Sequence, residues 1–252
     1  LVFLSSLPNP QWIVLAIAVV VAATLAAWEL RVREPFLDLR LLAANLALTR
    51  TYLRVGLTSL CVYTVLYGLT QWLEAGRGVS ARAAGLLLLP MTGVSVILLG
   101  PISRRNLVRG PLIVSAVSSA VASAGVLLLT TGSATVLIVA VTLIFGITLA
   151  TFASANQTAL YTQVDGAQIG TAAGLLRTFG YVGSIASSAI IGIVFHRSVT
   201  DAGMHAIAII MIAVSVLGLL LAVADRRLRT PRHDRGEPAQ VSASNSPRTQ
   251  AT

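Results

Sequence analysis

Lysine is absent from this 252-residue chain, acidic residues number only nine, and cysteine occurs once, at Cys61. Charged residues make up 11% of the chain, where a soluble domain carries roughly 25%. The lone cysteine excludes an internal disulfide and a thiolate metal cluster. His196, His205 and His233 fall in no ligand spacing, and neither a serine-nucleophile motif nor a Walker loop is present. No enzymatic chemistry, ATP-driven pumping, metal or cofactor is therefore expected. The first apolar stretch follows Pro8 and Pro10 and lacks a basic leading region, so it does not read as a secretory signal.

What the chain has is apolar length. Hydrophobic residues are 56% of the total and the mean hydropathy is +0.84. Seven apolar runs, each long enough to cross a bilayer, are separated by polar gaps: 12–30, 52–73, 81–101, 112–130, 134–155, 169–195 and 204–224. The runs are continuous, without the alternation of barrel strands. Backbone polar groups must be paired in hydrocarbon, so each run is predicted to be helical. The fold class expected is all-α and polytopic, with seven transmembrane helices.

The arginines set the orientation. With the first residue outside, fourteen arginines fall in cytoplasmic segments, and Arg77, Arg82 and Arg197 fall outside. The positive-inside rule then places the C-terminus in the cytoplasm, and the expected location is a plasma (inner) membrane. The net charge of +9 is explained by these loops, with lipid rather than nucleic acid as the partner. Residues 31–51 read as a basic connector, either solvated or lying on the interface. Residues 226–252, polar and rich in Arg, Ser and Pro, read as a disordered tail.

Four features carry candidate function. Tyr63, Tyr67 and Gln71 recur every four residues, one helical face. Such a face suits a substrate pathway through aromatic stacking, or an outer interfacial belt. Arg177 lies well inside span six with no acidic residue inside any span to pair with it, a functional position by default unless it snorkels to the interface. Gly180, Ser184, Ser188 and Gly192 form a small-residue stripe along the same span, and Gly170 and Gly174 a second pair, suited to close helix packing or to a sliding gate contact. Pro90, mid-span three, removes a backbone hydrogen bond and is expected to kink that helix. Asn156 and Gln157 are expected at the cytoplasmic end of span five, capping it or facing water.

The stretches REPFLDLRLL, QWLEAGRGVSARAAGLLLLPMT and ANQTALYTQVDGAQIGTAAGLLRTFGYVGSIASSAIIGIVF, in that order, resemble the major facilitator superfamily, more narrowly its fourteen-span drug:proton antiporters of EmrB/QacA type. The loop GPISRRNLVRG departs from that family's signature loop, with Arg104 at the acidic position and Leu107 at the second glycine. The resemblance implies that residues 1–30 are a linker helix and residues 52–225 the six-helix C-terminal bundle of a larger transporter. It implies that span two lines a central cavity, and that an N-terminal six-helix bundle, protons and a small lipophilic substrate are partners. Proton-coupled efflux by alternating access is the implied function. A half-transporter, or a non-transporting membrane protein that acts only with a partner chain, is the alternative.

Overall fold

The computed structural model describes residue 24 and residues 46–104, 107–164 and 169–224. The first apolar run, most of the basic connector and the tail lie outside the described residues. Within them the chain is helical, without strands. The helices are α1 (Leu46–Thr64), α2 (Ala81–Ser103), α3 (Arg109–Val126), α4 (Thr135–Gln163), α5 (Ile169–Val194) and α6 (Asp201–Ala224). The first continues through two π-helical turns, Val65–Leu69 and Trp72–Gly76. Six helices are long and apolar enough to cross a membrane among the described residues.

Local chemistry sets several ends. Ser80, extended at ψ 149°, accepts from the Ala83 amide at 3.4 Å and starts α2. Thr200 does the same for α6, accepting from the Gly203 amide at 3.1 Å, and Asp201 puts a negative charge on the positive end of that helix. Helix α2 stays continuous through Pro90, which lies half-buried at its middle.

Three ends differ from the sequence expectation. α1 starts at Leu46, well ahead of Tyr52, because Leu48 and Tyr52 continue its buried face and outweigh the polarity of Arg50. α3 stops at Val126, where Leu127, Leu128 and Leu129 turn back with amide bonds to the carbonyls three residues earlier. The following turn is held by the Thr130 amide donating to Ser133 Oγ at 2.8 Å. α4 runs on to Gln163, past the expected end at Ala155, because Ala155, Ala159 and Leu160 are all buried.

Packing follows the small residues. α1 lies against α5, α6 and α4; α3 sits between α4 and α6; α2 packs on α4. Two glycines allow the closest approaches. A Cβ at Gly183 would press into the carbonyl oxygen of Gly56 and come within 3.0 Å of the Leu60 nitrogen, locking α5 to α1. One at Gly146 would lie 2.6 Å from the Met91 carbonyl oxygen, locking α4 to α2. Most other side chains of α2 face outward, Val96 and Ile97 above 70% exposed, as expected of surface meeting lipid or further protein.

The bundle holds two main apolar clusters. The larger gathers Trp72, Leu129, Phe145, Met204 and Met211 around the end remote from Arg54 and Arg109. The smaller, Leu48, Tyr52, Leu160, Ala172 and Leu175, joins the arginine-rich end of α1, α4 and α5. Tyr52 stacks on Phe179 at 5.4 Å between ring centroids and donates its hydroxyl to the Ala172 carbonyl at 3.2 Å.

Candidate functional site

Two cavities have polar walls. One, of about 20 Å³, is bounded by Arg54, Thr58, Cys61, Ser115, Ser119 and Ser215 between α1, α3 and α6. It has room for a single water and no more. The other, of about 340 Å³, opens between α1, α4 and α5, in the size range of small-molecule sites. α4 and α5 scarcely touch, and this gap is what leaves the space.

Three helices build the larger pocket. α1 gives Val55, Ser59 and Tyr63; α4 gives Phe152, Ala153, Asn156 and Gln157; α5 gives Leu176, Arg177, Gly180 and Tyr181. Arg177 lies eight residues into α5, roughly 12 Å from its start by helix rise, and its side chain is exposed on the pocket wall. Asn156 is 3% exposed; its Nδ2 donates to the Phe152 carbonyl at 2.9 Å and its Oδ1, buried, accepts from no described residue. Gln157 Nε2 donates to the Tyr161 hydroxyl at 2.7 Å. Tyr63 and Tyr67 lie with ring centroids 5.6 Å apart. Among the described residues the only carboxylates are Glu74 and Asp201, both at the opposite end of the bundle. No three His, Cys, Asp or Glu side chains converge to hold a metal among the described residues.

The sequence-predicted residues divide. Tyr63 and Arg177 both line the pocket, whereas Tyr67 does not and lies beside Tyr63. Gln71 is exposed and does not line it. The π-turn at Val65–Leu69 explains this: each such turn adds a residue to the helical repeat, so four-residue spacing no longer holds one face beyond Tyr67.

The small-residue stripe forms no close seam with the described helices. Ser184 is half-buried, Ser188 and Gly192 are exposed, and nothing lies within 4 Å of a Cβ built at Gly170, Gly174 or Gly192. Gly180 touches Ser59 Oγ at an ordinary 3.5 Å. The close contact falls one residue away, on Gly183 and the fully buried Ser187, whose hydroxyl accepts from Thr64 Oγ1 at 2.9 Å.

Asn156 and Gln157 are corrected as well. They lie inside α4 rather than at its end, and both face the pocket. The signal was in the sequence: they sit among residues that continue the buried face of α4, so polarity alone did not mark an end.

Two other features escaped sequence reasoning. Arg54, assigned to a cytoplasmic segment, is 3% exposed on α1, with Nη2 donating to Thr51 Oγ1 at 2.8 Å. A hydroxyl seam joins α3 to its neighbours: Ser118 and Thr148 hydroxyls at 2.8 Å, Ser119 and Ser215 hydroxyls at 2.8 Å, and Cys61 Sγ 3.7 Å from Ser215. The spacing of Ser115, Ser118, Ser119 and Ser123 on one face of α3 was the available clue.

At the far end, Asp201 ties three elements together. Trp72 Nε1 donates to Oδ1 at 2.9 Å, and the Thr131 amide and hydroxyl donate to Oδ2 at 2.9 and 3.3 Å. His205 Nε2 donates to the Leu129 carbonyl at 2.8 Å beside them. Trp72, fully buried, is thus a structural anchor of this end of the bundle.

Six membrane-length helices around a polar-walled pocket frame the comparison with known proteins. Residues 2–188 match the profile of the Major Facilitator Superfamily. The chain belongs to the major facilitator superfamily. It is also 30% identical over 199 residues to a Bacillus subtilis (strain 168) protein described as "Uncharacterized MFS-type transporter YwoD". That alignment covers 77% of this chain and 44% of the relative, so the chain spans under half the length of the protein it matches. Membership makes it a multi-pass membrane protein of a superfamily whose members are transporters and not enzymes.

Proposed function

We propose that the chain is the C-terminal half of a proton-coupled exporter of lipophilic compounds, of EmrB/QacA type, working by alternating access in the plasma membrane. The observation that carries this reading is the 340 Å³ pocket between α1, α4 and α5, whose wall sets tyrosines beside Arg177. A membrane-embedded cavity with aromatic walls and few fixed polar groups suits amphipathic solutes. The pocket is open on the side where Arg177, Tyr181 and Gln157 are exposed. On this reading an N-terminal bundle covers that side, and the outward-facing Ser184, Ser188 and Gly192 of α5 meet it as a sliding contact. Pro90 contributes a fixed bend in α2. The coupling carboxylates belong to the covering half, since this pocket has none among its described residues.

The same exposed stripe favours a second reading, in which the chain pairs with a separate partner chain or acts with it without transporting. Flux measurements separate the two. The full-length protein in proteoliposomes is expected to move a lipophilic dye against its gradient only when a proton gradient is imposed, and this chain alone is expected to move none. Proton-driven flux by this chain alone would overturn the proposal.

A further inference from the structure

α1 offers polar groups to both cavities, and the larger pocket uses only some of them. Val55, Ser59 and Tyr63 line that pocket, while Arg54, Thr58 and Cys61 line the small cavity against α3 and α6. α1 packs well on α6 but scarcely touches α3, and the small cavity lies in that shortfall.

The opposite wall is made of hydroxyls. α3 supplies Ser115 and Ser119, and α6 supplies Ser215, all buried. Their hydrogens are largely committed. Ser115 donates to the Thr148 carbonyl at 3.3 Å. Ser119 and Ser215 share a bond at 2.8 Å, and Cys61 Sγ lies 3.7 Å from both Ser215 Oγ and the Met211 carbonyl. What the serines retain is lone pairs, because a hydroxyl oxygen accepts twice.

Thr58 stands in the reverse position. Thr64, Thr148, Thr151, Thr158 and Thr178 each donate to the carbonyl four residues back along their own helix. Thr58 does not, and it makes no hydrogen bond with any described residue. Its oxygen remains accessible. A donor without an acceptor and acceptors with lone pairs to spare thus line one space of about 20 Å³. That volume holds a single water and excludes any larger solute. A bare hydroxyl inside a membrane bundle is costly, and a water bonded to it recovers that cost.

We infer that one ordered water occupies this cavity, accepting from Thr58 Oγ1 and donating to the serine hydroxyls of α3 and α6. It joins α1 to α3 where the two helices do not meet directly. The site is separate from the larger pocket and does not depend on the transport reading.

Two measurements on the full-length protein in detergent test it. The first is oxidation by hydroxyl radicals from microsecond radiolysis, which marks side chains standing next to water. Cys61, 1% exposed, is the reporter; Met91, fully buried and lining neither cavity, is the dry control. Each rate is divided by that of the same residue in the denatured chain. Cys61 is expected to be oxidised well ahead of Met91, and to fall toward it in Thr58→Val. The second is the melting midpoint of Thr58→Val, a nearly isosteric change. With the water in place the midpoint is expected to drop by about 2 °C, because a hydrogen bond is lost. In a dry cavity the same change removes a bare hydroxyl, and the midpoint would hold or rise. Cys61 oxidised no faster than Met91 would overturn the inference, and so would a midpoint that holds or rises.

Discussion

At the residue scale, the tightest constraint is an absent side chain. Gly183 places α5 on the backbone of α1 around Gly56 and Leu60. Neither backbone yields without moving a whole helix, so Gly183→Ala is expected to cost about 1–3 kcal/mol as an overpacked contact. Gly218 on α6 has nothing within 4 Å of a built Cβ, and Gly218→Ala is expected to leave stability unchanged or raise it slightly. Thermal melts of the two variants in detergent decide it: equal midpoints would show that α1 and α5 are not held at Gly183. The comparison bears on what the sequence disclosed. Small residues at four-residue spacing picked out the right helix in α5 but the wrong face, because Gly180, Ser184, Ser188 and Gly192 and the pair Gly183 and Ser187 are both patterned for close packing. Which one meets α1 depends on how the helices are arranged, and spacing along one helix holds no information on that.

At the element scale, the hydroxyl seam on α3 replaces the apolar interdigitation a soluble bundle would use. Lipid offers helices no hydrophobic reason to associate, so packing of small residues and interhelical hydrogen bonds carry the contact. The Ser119–Ser215 bond at 2.8 Å links α3 to α6 directly. A double-mutant cycle with Ser119→Ala and Ser215→Ala is expected to give a coupling of about 0.6 kcal/mol, the usual size of such bonds within a bilayer. Zero coupling would mean the two hydroxyls are held by their own helices. The existence and order of the six described helices were legible from apolar length, since hydrocarbon leaves the backbone no other state. Their ends were less so. Hydropathy stops at the first polar residues, whereas α1 and α4 continue under Arg50, Arg54, Asn156 and Gln157 because apolar neighbours on the same turns are buried. The candidate site suffered from the same rule, since Asn156 and Gln157 of its polar wall lay in what hydropathy assigned to a helix end.

At the scale of the whole molecule, the described arginines sort by end. Arg50, Arg54, Arg104 and Arg109 lie at the end shared by the start of α1 and the start of α3. Arg77, Arg82 and Arg197 lie at the other. The positive-inside rule puts the first group in the cytoplasm. A fluorescent protein fused after Ala224 in the full-length protein is therefore expected to fluoresce, and a periplasmic phosphatase fused there to be inactive. The reverse pattern would invert the orientation and turn the tyrosine end of the pocket, remote from Arg54, toward the cytoplasm. The sorting of these loop arginines to two ends could be read from the sequence alone. The pocket could not, because it arises where α4 and α5 fail to meet, and a gap between two helices leaves no mark on either sequence.

The two π-turns of α1 have a genetic consequence. Each can be regarded as a single codon gained within an ordinary helix. Deleting one residue from Val65–Leu69 would restore regular hydrogen bonding there. The wide turn absorbs its extra residue, so everything beyond would keep its face, whereas a deletion in regular helix would swing it by roughly 100°. Trp72 would stay on Asp201, and with it the knot that gathers the end of α1, the α3–α4 turn and α6. In-frame single-residue deletions should thus be tolerated better within Val65–Leu69 than in the regular turns of α1 before it.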